Sequence, residues 1–266
     1  MLLFQVYRAQ IRTSAAVELQ YRAALVIWLI GLILEPVIYL VVWSAVARSG
    51  GGQVGGYTGG DFAAYFIVLM MVNHVTFTWV MYEFDTRIRQ GSFSPLLLRP
   101  IHPIHADIAE NITYKGITLI VMLPAAMVLA SGFHAQFHTK TWMIAAFVPA
   151  LLLAFAVRFL VEWTLALSAF WVERSAAVNQ VYAVAVLFLS GQMAPLSLLP
   201  APIRLVANML PFRWMVSFPV ELLLGRLTPT EAMMGFGAQA AWLLGSFLMM
   251  RLVWRAGIRR YSAVGS

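Results

Sequence analysis

Glu35, Arg158 and Glu162 are charged side chains set in strongly apolar surroundings, and that setting limits the chemistry each can do. Glu35 lies within LVIWLIGLILEPVIYLVVW and is followed by Pro36. A carboxylate costs on the order of 3 kcal/mol to insert at the centre of a membrane helix, so it either lines a polar path or pairs with a buried cation. Both roles stay open for Glu35. Pro36 removes a backbone hydrogen bond and kinks its helix, which frees carbonyls that need partners. Arg158 and Glu162 stand four apart, so on one helix they share a face and can neutralise each other. Arg158 reaching Glu35 on a neighbouring helix is the alternative. NHVTFTW, Asn73 to Trp79, adds Asn73, His74, Thr76 and Thr78 to another apolar run. These face protein or a polar cavity, or pack helices together through Thr and Asn.

Catalytic constellations do not emerge. His134 and His138 are four apart, a spacing that suits metal only on a helix, and no cysteine or adjacent carboxylate completes a set. His102 and His105 flank Pro103 and read as ordinary loop histidines. Glu83 and Asp85 beside Arg87 read as a solvated ion pair at a membrane edge. No nucleophilic triad or paired catalytic carboxylates are visible. A phosphate-binding loop needs Gly-x-x-x-x-Gly-Lys-Ser/Thr, because backbone N–H groups cradle the phosphates while the lysine reaches the β and γ oxygens. The two lysines, Lys115 and Lys140, follow Tyr114 and Thr139 rather than glycine. This chain cannot hydrolyse ATP by that route, and no metal or cofactor is expected in it.

The elements that must carry these residues follow from composition. Of 266 residues, 61% are hydrophobic and 11% charged, against roughly 45–50% and about 25% in soluble domains. The apolar runs are continuous, which favours helices over a barrel. The fold class is an all-α polytopic membrane protein in a single domain, 1–266. An amphipathic helix over about 1–22 lies in the membrane interface, a frayed cytoplasmic tail being the alternative. Six spans follow, at about 23–47, 62–82, 108–130, 142–170, 181–194 and 233–254. The apolar stretch 195–227, cut by Pro195, Pro200, Pro202, Pro211 and Pro219, reads as a re-entrant hairpin on the outer side. The start is not a convincing signal peptide, since Arg8, Arg12 and Arg22 interrupt it.

Charge orients the chain. With the N-terminus inside, the inner segments hold Arg8, Arg12, Arg22, Arg87, Arg89, Arg99, Arg174, Arg251, Arg255, Arg259 and Arg260. The outer ones hold Arg48, Lys140, Arg204, Arg213 and Arg226. That excess places both termini in the cytoplasm. The net charge of +7 is then explained by topology and anionic lipid headgroups rather than nucleic acid. With no cysteine, redox chemistry says nothing of the compartment.

The loop over 86–105 is the most informative inner segment. In TRIRQGSFSPLLLRP, Ile88 and Arg89 finish a helix and Gly91 supplies the left-handed conformation that ends it. Ser94 caps a new short helix with Pro95 in its first turn. Leu96, Leu97 and Leu98 give it an apolar surface before Arg99-Pro100 stops it. The product is a short helix across the membrane face, suited to a partner's groove. A snorkelling interfacial loop is the alternative.

IRQGSFSPLLLRP resembles the cytoplasmic coupling-helix segment of ABC-2-type transporter permeases, in the subfamily with a pattern close to I-R-x-G-x-x-x-x-x-L-L-R-P. SGQMAPLSLLPAPIRLVANMLPFRW, Ser190 to Trp214, is similar to that family's proline-broken outer feature. ELQYRAALVIWLIG, Glu18 to Gly31, is similar to its interfacial helix feeding the first span. The resemblance implies a permease half that pairs with a copy or a related permease in a bacterial cytoplasmic (inner) membrane. It implies a separate pair of ABC ATPase subunits carrying ATP and Mg, which act on Arg87, Arg89, Gly91, Leu96, Leu97, Leu98, Arg99 and Pro100. The cargo of such an exporter is a hydrophobic or amphipathic compound, with Glu35, Asn73, Arg158 and Glu162 as candidate pathway residues. A stand-alone ion-coupled transporter using Glu35 and the Arg158–Glu162 pair is the competing class. It needs discontinuous helices in two halves, and breaks appear mainly over 195–219. An intramembrane enzyme is disfavoured by the missing constellations.

Overall fold

A computed structural model describes residues 2–172 and 175–261. Arg174 and the Arg22 side chain, both counted above among the inner cations, lie outside that description. Helix α1 (Leu2–Gln20) runs into α2 (Arg22–Ser49), which contains Pro36. The glycine-rich loop after it folds into a small hairpin of β1 (Gln53–Val54) and β2 (Tyr57–Thr58), antiparallel with Gln53 opposite Thr58. Helix α3 (Gly59–Thr76) then starts at a capping box. The Thr58 hydroxyl accepts from the Asp61 N–H, and the Asp61 carboxylate accepts from the Thr58 N–H.

The predicted second span is not one helix. After α3 the backbone at Phe77 turns extended, and α4 (Val80–Arg89) starts three residues later. A four-residue helix, α5 (Ser94–Leu97), precedes α6 (Ile104–Gly132) and α7 (Thr141–Ala166), which ends in a 3-10 turn at Leu167–Phe170. The predicted fifth span begins earlier than expected, as α8 (Ala176–Leu189), 14 residues and ~21 Å at 1.5 Å per residue. Past it the proline-rich stretch breaks into α9 (Ala201–Met209), α10 (Pro211–Met215) and α11 (Ser217–Leu223). Each of these prolines removes a backbone donor, so the chain turns instead of extending one helix. The last helix, α12 (Pro229–Ile258), opens at a Thr228–Glu231 capping box.

Five helical segments are long and apolar enough to cross a membrane: Ala23–Ser49, Gly59–Arg89, Ile104–Gly132, Thr141–Phe170 and Pro229–Ile258. They differ in how much they hide. The most apolar stretch of Gly59–Arg89 is 72% buried, that of Ala23–Ser49 only 11%. The α3–α4 segment is therefore the centre of the bundle, packed between α2, α6 and α7. Its core side chains include Phe62, Tyr65, Phe66 and Met70. Outward faces of α2, α6 and α12 expose Ile27, Ile120, Val128, Leu248 and Leu252. An apolar exterior of this kind has lipid as its solvent.

The ends of the chain lie at the same end of the bundle. Tyr7 meets His105 across 2.9 Å, and Tyr261 meets Ser94 across 2.7 Å. At the opposite end Asp61 joins Arg226 (2.8 Å) and His138 (3.3 Å). His134 and His138 sit in a non-helical connection, so their spacing puts no two ligands on one face. Asp61 is the carboxylate the sequence reading did not place near them, and Arg226 already occupies it. No cluster able to hold a metal occurs among the described residues.

Candidate functional site

Two arrangements concentrate the polar and aromatic residues. The first is the turn between α4 and α6. Helix α4 ends at Arg89 and Gly91 takes φ +70°, the left-handed conformation its lack of a Cβ permits. The next residue but one anchors the turn: Phe93 is 0% exposed. Its ring packs against Phe84 (4.9 Å), Tyr261 (5.5 Å), Phe170 (5.8 Å) and Trp254 (6.3 Å). This box joins α4, the end of α7 and α12. Ser94 is not the cap of α5; Phe93 holds that position, and the Ser94 hydroxyl is engaged by Tyr261.

The short helix therefore presents less than the sequence implied. Leu96 and Leu97 turn inward onto the aromatic box. Leu98 is 88% exposed, and Arg99 and Pro100 beside it are exposed too. Arg89, paired with Asp85 at 2.8 Å, keeps 59% of its side chain exposed.

Arg87 behaves differently from its neighbours. It reaches Glu83 at 2.7 Å, Glu110 at 3.4 Å and Asp107, whose side chain is 2% exposed. The other Asp107 oxygen accepts from Trp163 Nε1 at 2.9 Å. The expected solvated pair is thus a partly buried network that locks α4 to α6 and α7 at the root of the turn. His102 is not an ordinary loop histidine either. Its ring lies 4.4 Å from Trp254 and 5.5 Å from Trp163, and its Nδ1 accepts from the Ile104 N–H. Burial there lowers its pKa below the ordinary value, with His105 adding to the effect and Asp107 opposing it. Sequence reasoning missed Phe93 and Asp107. The signal for Phe93 was one aromatic ring inside an otherwise polar turn.

The second arrangement is inside the bundle, where α3 breaks. Arg158 Nε donates to Glu162 Oε1 at 2.8 Å, and its Nη1 donates to Asn73 Oδ1 at 2.7 Å and Thr76 Oγ1 at 3.0 Å. The second Glu162 oxygen accepts from the Thr78 N–H (3.0 Å) and hydroxyl (2.6 Å). Tyr182 on α8 donates to Glu162 at 3.0 Å, and Gln192 donates to Asn73 at 2.7 Å. A helix interrupted in an apolar medium leaves backbone groups that need partners; here a carboxylate from α7 takes one of them. Asn73, Arg158 and Glu162 come together as one network. Glu35 does not join it: among the described residues it has no ion pair or hydrogen bond, and Arg158 goes to Glu162 instead.

The family model described as ABC-2 family transporter protein matches residues 33–265. The chain belongs to that family. No curated protein matches it. ABC-2 family proteins are generally the membrane permeases of ABC transporters, working with ABC ATPase subunits and not themselves catalytic. The match takes in the whole turn between α4 and α6 and the broken second span, so both arrangements lie in an ABC-2 domain.

Proposed function

We propose that this chain is the permease half of an ABC exporter that moves a hydrophobic or amphipathic compound across a bacterial cytoplasmic membrane. In this reading α8 and its flanking residues complete a sixth crossing, α1 lies in the interface, and 195–227 re-enters from the outer side. Both termini and the α4–α6 turn face the cytoplasm in this reading, and the arginine distribution supports that orientation. A copy or a related permease completes the pathway. A separate ATPase pair, holding ATP and Mg, docks below and drives the turn.

One observation carries the proposal: the turn combines an exposed tip at Leu98–Pro100 with a fully buried root at Phe93. Force applied to the tip passes through the aromatic box into α7 and α12, and through Arg87–Asp107 into α6. Helix-in-groove docking needs such a protruding apolar residue on a rigid support. This redistributes the roles the resemblance implied. Leu98, Arg99, Pro100 and Arg89 are the contact residues; Arg87, Leu96 and Leu97 hold the turn, and Gly91 shapes it. The test is copurification in mild detergent. Leu98→Asp with Arg99→Glu leaves the permease inserted and strips the ATPase subunit. Unchanged assembly of that variant overturns the assignment.

A stand-alone ion-coupled transporter is the second reading, favoured only by the unpaired Glu35. The saturation of Arg158 and Glu162 by Asn73, Thr76, Thr78 and Tyr182 counts against them as a titrating, moving pair. Transport in vesicles driven by a proton gradient without ATP would establish it.

A further inference from the structure

The carboxylate left out of the network is exposed and borders a cavity that is open on one side. Glu35 lies ~18 Å along α2 from Ala23, at 1.5 Å per residue, which is mid-membrane depth. Beside it is a space of about 300 Å³ between α2, the α3–α4 break and α8. Its walls include the rings of Trp28, Phe77, Trp79, Tyr82 and Tyr182. Arg158 also borders it, but that charge is already balanced by Glu162 at 2.8 Å. The net formal charge facing the space is therefore that of one carboxylate.

We propose that this aromatic-walled cavity binds an amphipathic organic monocation, with Glu35 as its counter-ion. The chemistry follows from the lining. Phe77 already carries the Arg158 guanidinium at 5.3 Å, and each free ring face attracts a cation through its quadrupole by ~0.5–2 kcal/mol. They also cover the apolar part of such a ligand, as small-molecule pockets of roughly 300–1,000 Å³ do. An anion meets unbalanced negative charge there, and a neutral ligand leaves the Glu35 carboxylate unpaired in apolar surroundings, which is costly.

An approach route adjoins the cavity. Trp28 and Trp79 stand edge to face at 5.0 Å and line both this space and a second one of similar size. The wall of that second space includes Glu18, together with Glu83 and Glu110, which share Arg87. The two tryptophans form a partition between them. A cation arriving at the α1–α2 junction passes carboxylates first and the partition second. Naming this ligand as cargo rests on the permease reading above; its binding does not.

The test uses the full chain in lipid nanodiscs with radiolabelled tetraphenylphosphonium, and tetraphenylborate as an anion of the same shape. Saturable binding of the cation is expected, with no competition from the anion. Glu35→Gln should weaken it about tenfold or more, the scale of one lost charge pair in an apolar site. Gly31→Phe provides a variant that keeps Glu35. Gly31 lines the cavity, and a Cβ there meets nothing within 4 Å, so a bulky side chain starts from it without a clash at its root and crowds the space. That variant should abolish binding. Equal binding by wild type and Glu35→Gln, equal binding of the anion, or no saturable binding overturns the site. So does a Glu35→Gln protein that binds normally but no longer pairs with a second permease, which assigns the carboxylate to subunit contact. Copurified ATPase, scored on the same samples, keeps the readings apart. ATPase without cation binding sinks only this site, and cation binding without ATPase sinks only the permease reading.

Discussion

Phe93, Arg87 and Leu98 lie within twelve positions of one another and are expected to fail in three different ways. Phe93→Ala empties a fully enclosed site among four aromatic rings and should cost ~3–5 kcal/mol, read as a lowered unfolding midpoint in detergent. Arg87→Ala leaves Asp107 buried without its cation and should cost ~3 kcal/mol or more, seen in the same assay. Leu98→Ala touches nothing in the chain and should stay within about 0.5 kcal/mol, while weakening the ATPase complex. Parallel losses of stability for Leu98→Ala and Phe93→Ala would count against the division between tip and root. His102 adds a pH dependence. Its imidazole is held neutral by burial, below the ordinary 6.5, so the unfolded turn binds a proton that the packed turn does not. Packing is undiminished above pH 6.5 and weakens as pH falls below it. The hydrogen-exchange protection factors of residues 90–103, with the intrinsic pH dependence of exchange divided out, should fall from pH 7.5 to pH 5.5, and His102→Phe should flatten that change.

The broken second span is the element that organises the interior. Thr78 and Glu162 tie the break to α7, and Arg158 neutralises the carboxylate that makes the tie possible. Glu162→Ala should destabilise by ~3–5 kcal/mol because it strands Arg158, and Arg158→Leu with Glu162→Leu should cost less than either single change. A double change as damaging as the sum of the singles would show that the two do not act as a pair. The pairing was legible in the sequence because a four-residue spacing on one helix leaves few other arrangements. The break was not. Phe77 and its neighbours look as apolar as a continuous span, and only the tertiary position of Glu162, 84 residues away from Thr78, makes an interruption tolerable. The same limit hid Asp107 and misplaced Arg87. Charges at a membrane edge read as solvated until the fold brings Trp163 over them. Five of the expected spans were legible through length and hydropathy alone; α8, where a further one was expected, is a shorter apolar helix that ends where Ser190 and Gly191 turn the chain.

On the proposed reading, force enters this ABC-2 domain at one place and the ligand sits at another. The tip at Leu98–Pro100 lies at the end bearing the termini, and the Glu35 cavity lies at the break in the central helix. Helix α4 connects them, carrying Phe84 and Arg87 at one end and starting beside Trp79 at the other. On that reading a displaced tip moves the wall of the cavity. Whether an ATPase seats on that tip is directly measurable, because the chain has no cysteine. Leu98→Cys and Gln53→Cys, placed at opposite ends of the bundle and both exposed, give single-thiol versions of the protein for cross-linking with a short thiol-reactive reagent in the purified complex. The expected result is an adduct between permease and ATPase from Leu98→Cys and none from Gln53→Cys. An intact complex in which the Leu98→Cys thiol stays free and fully accessible to a soluble maleimide would contradict it.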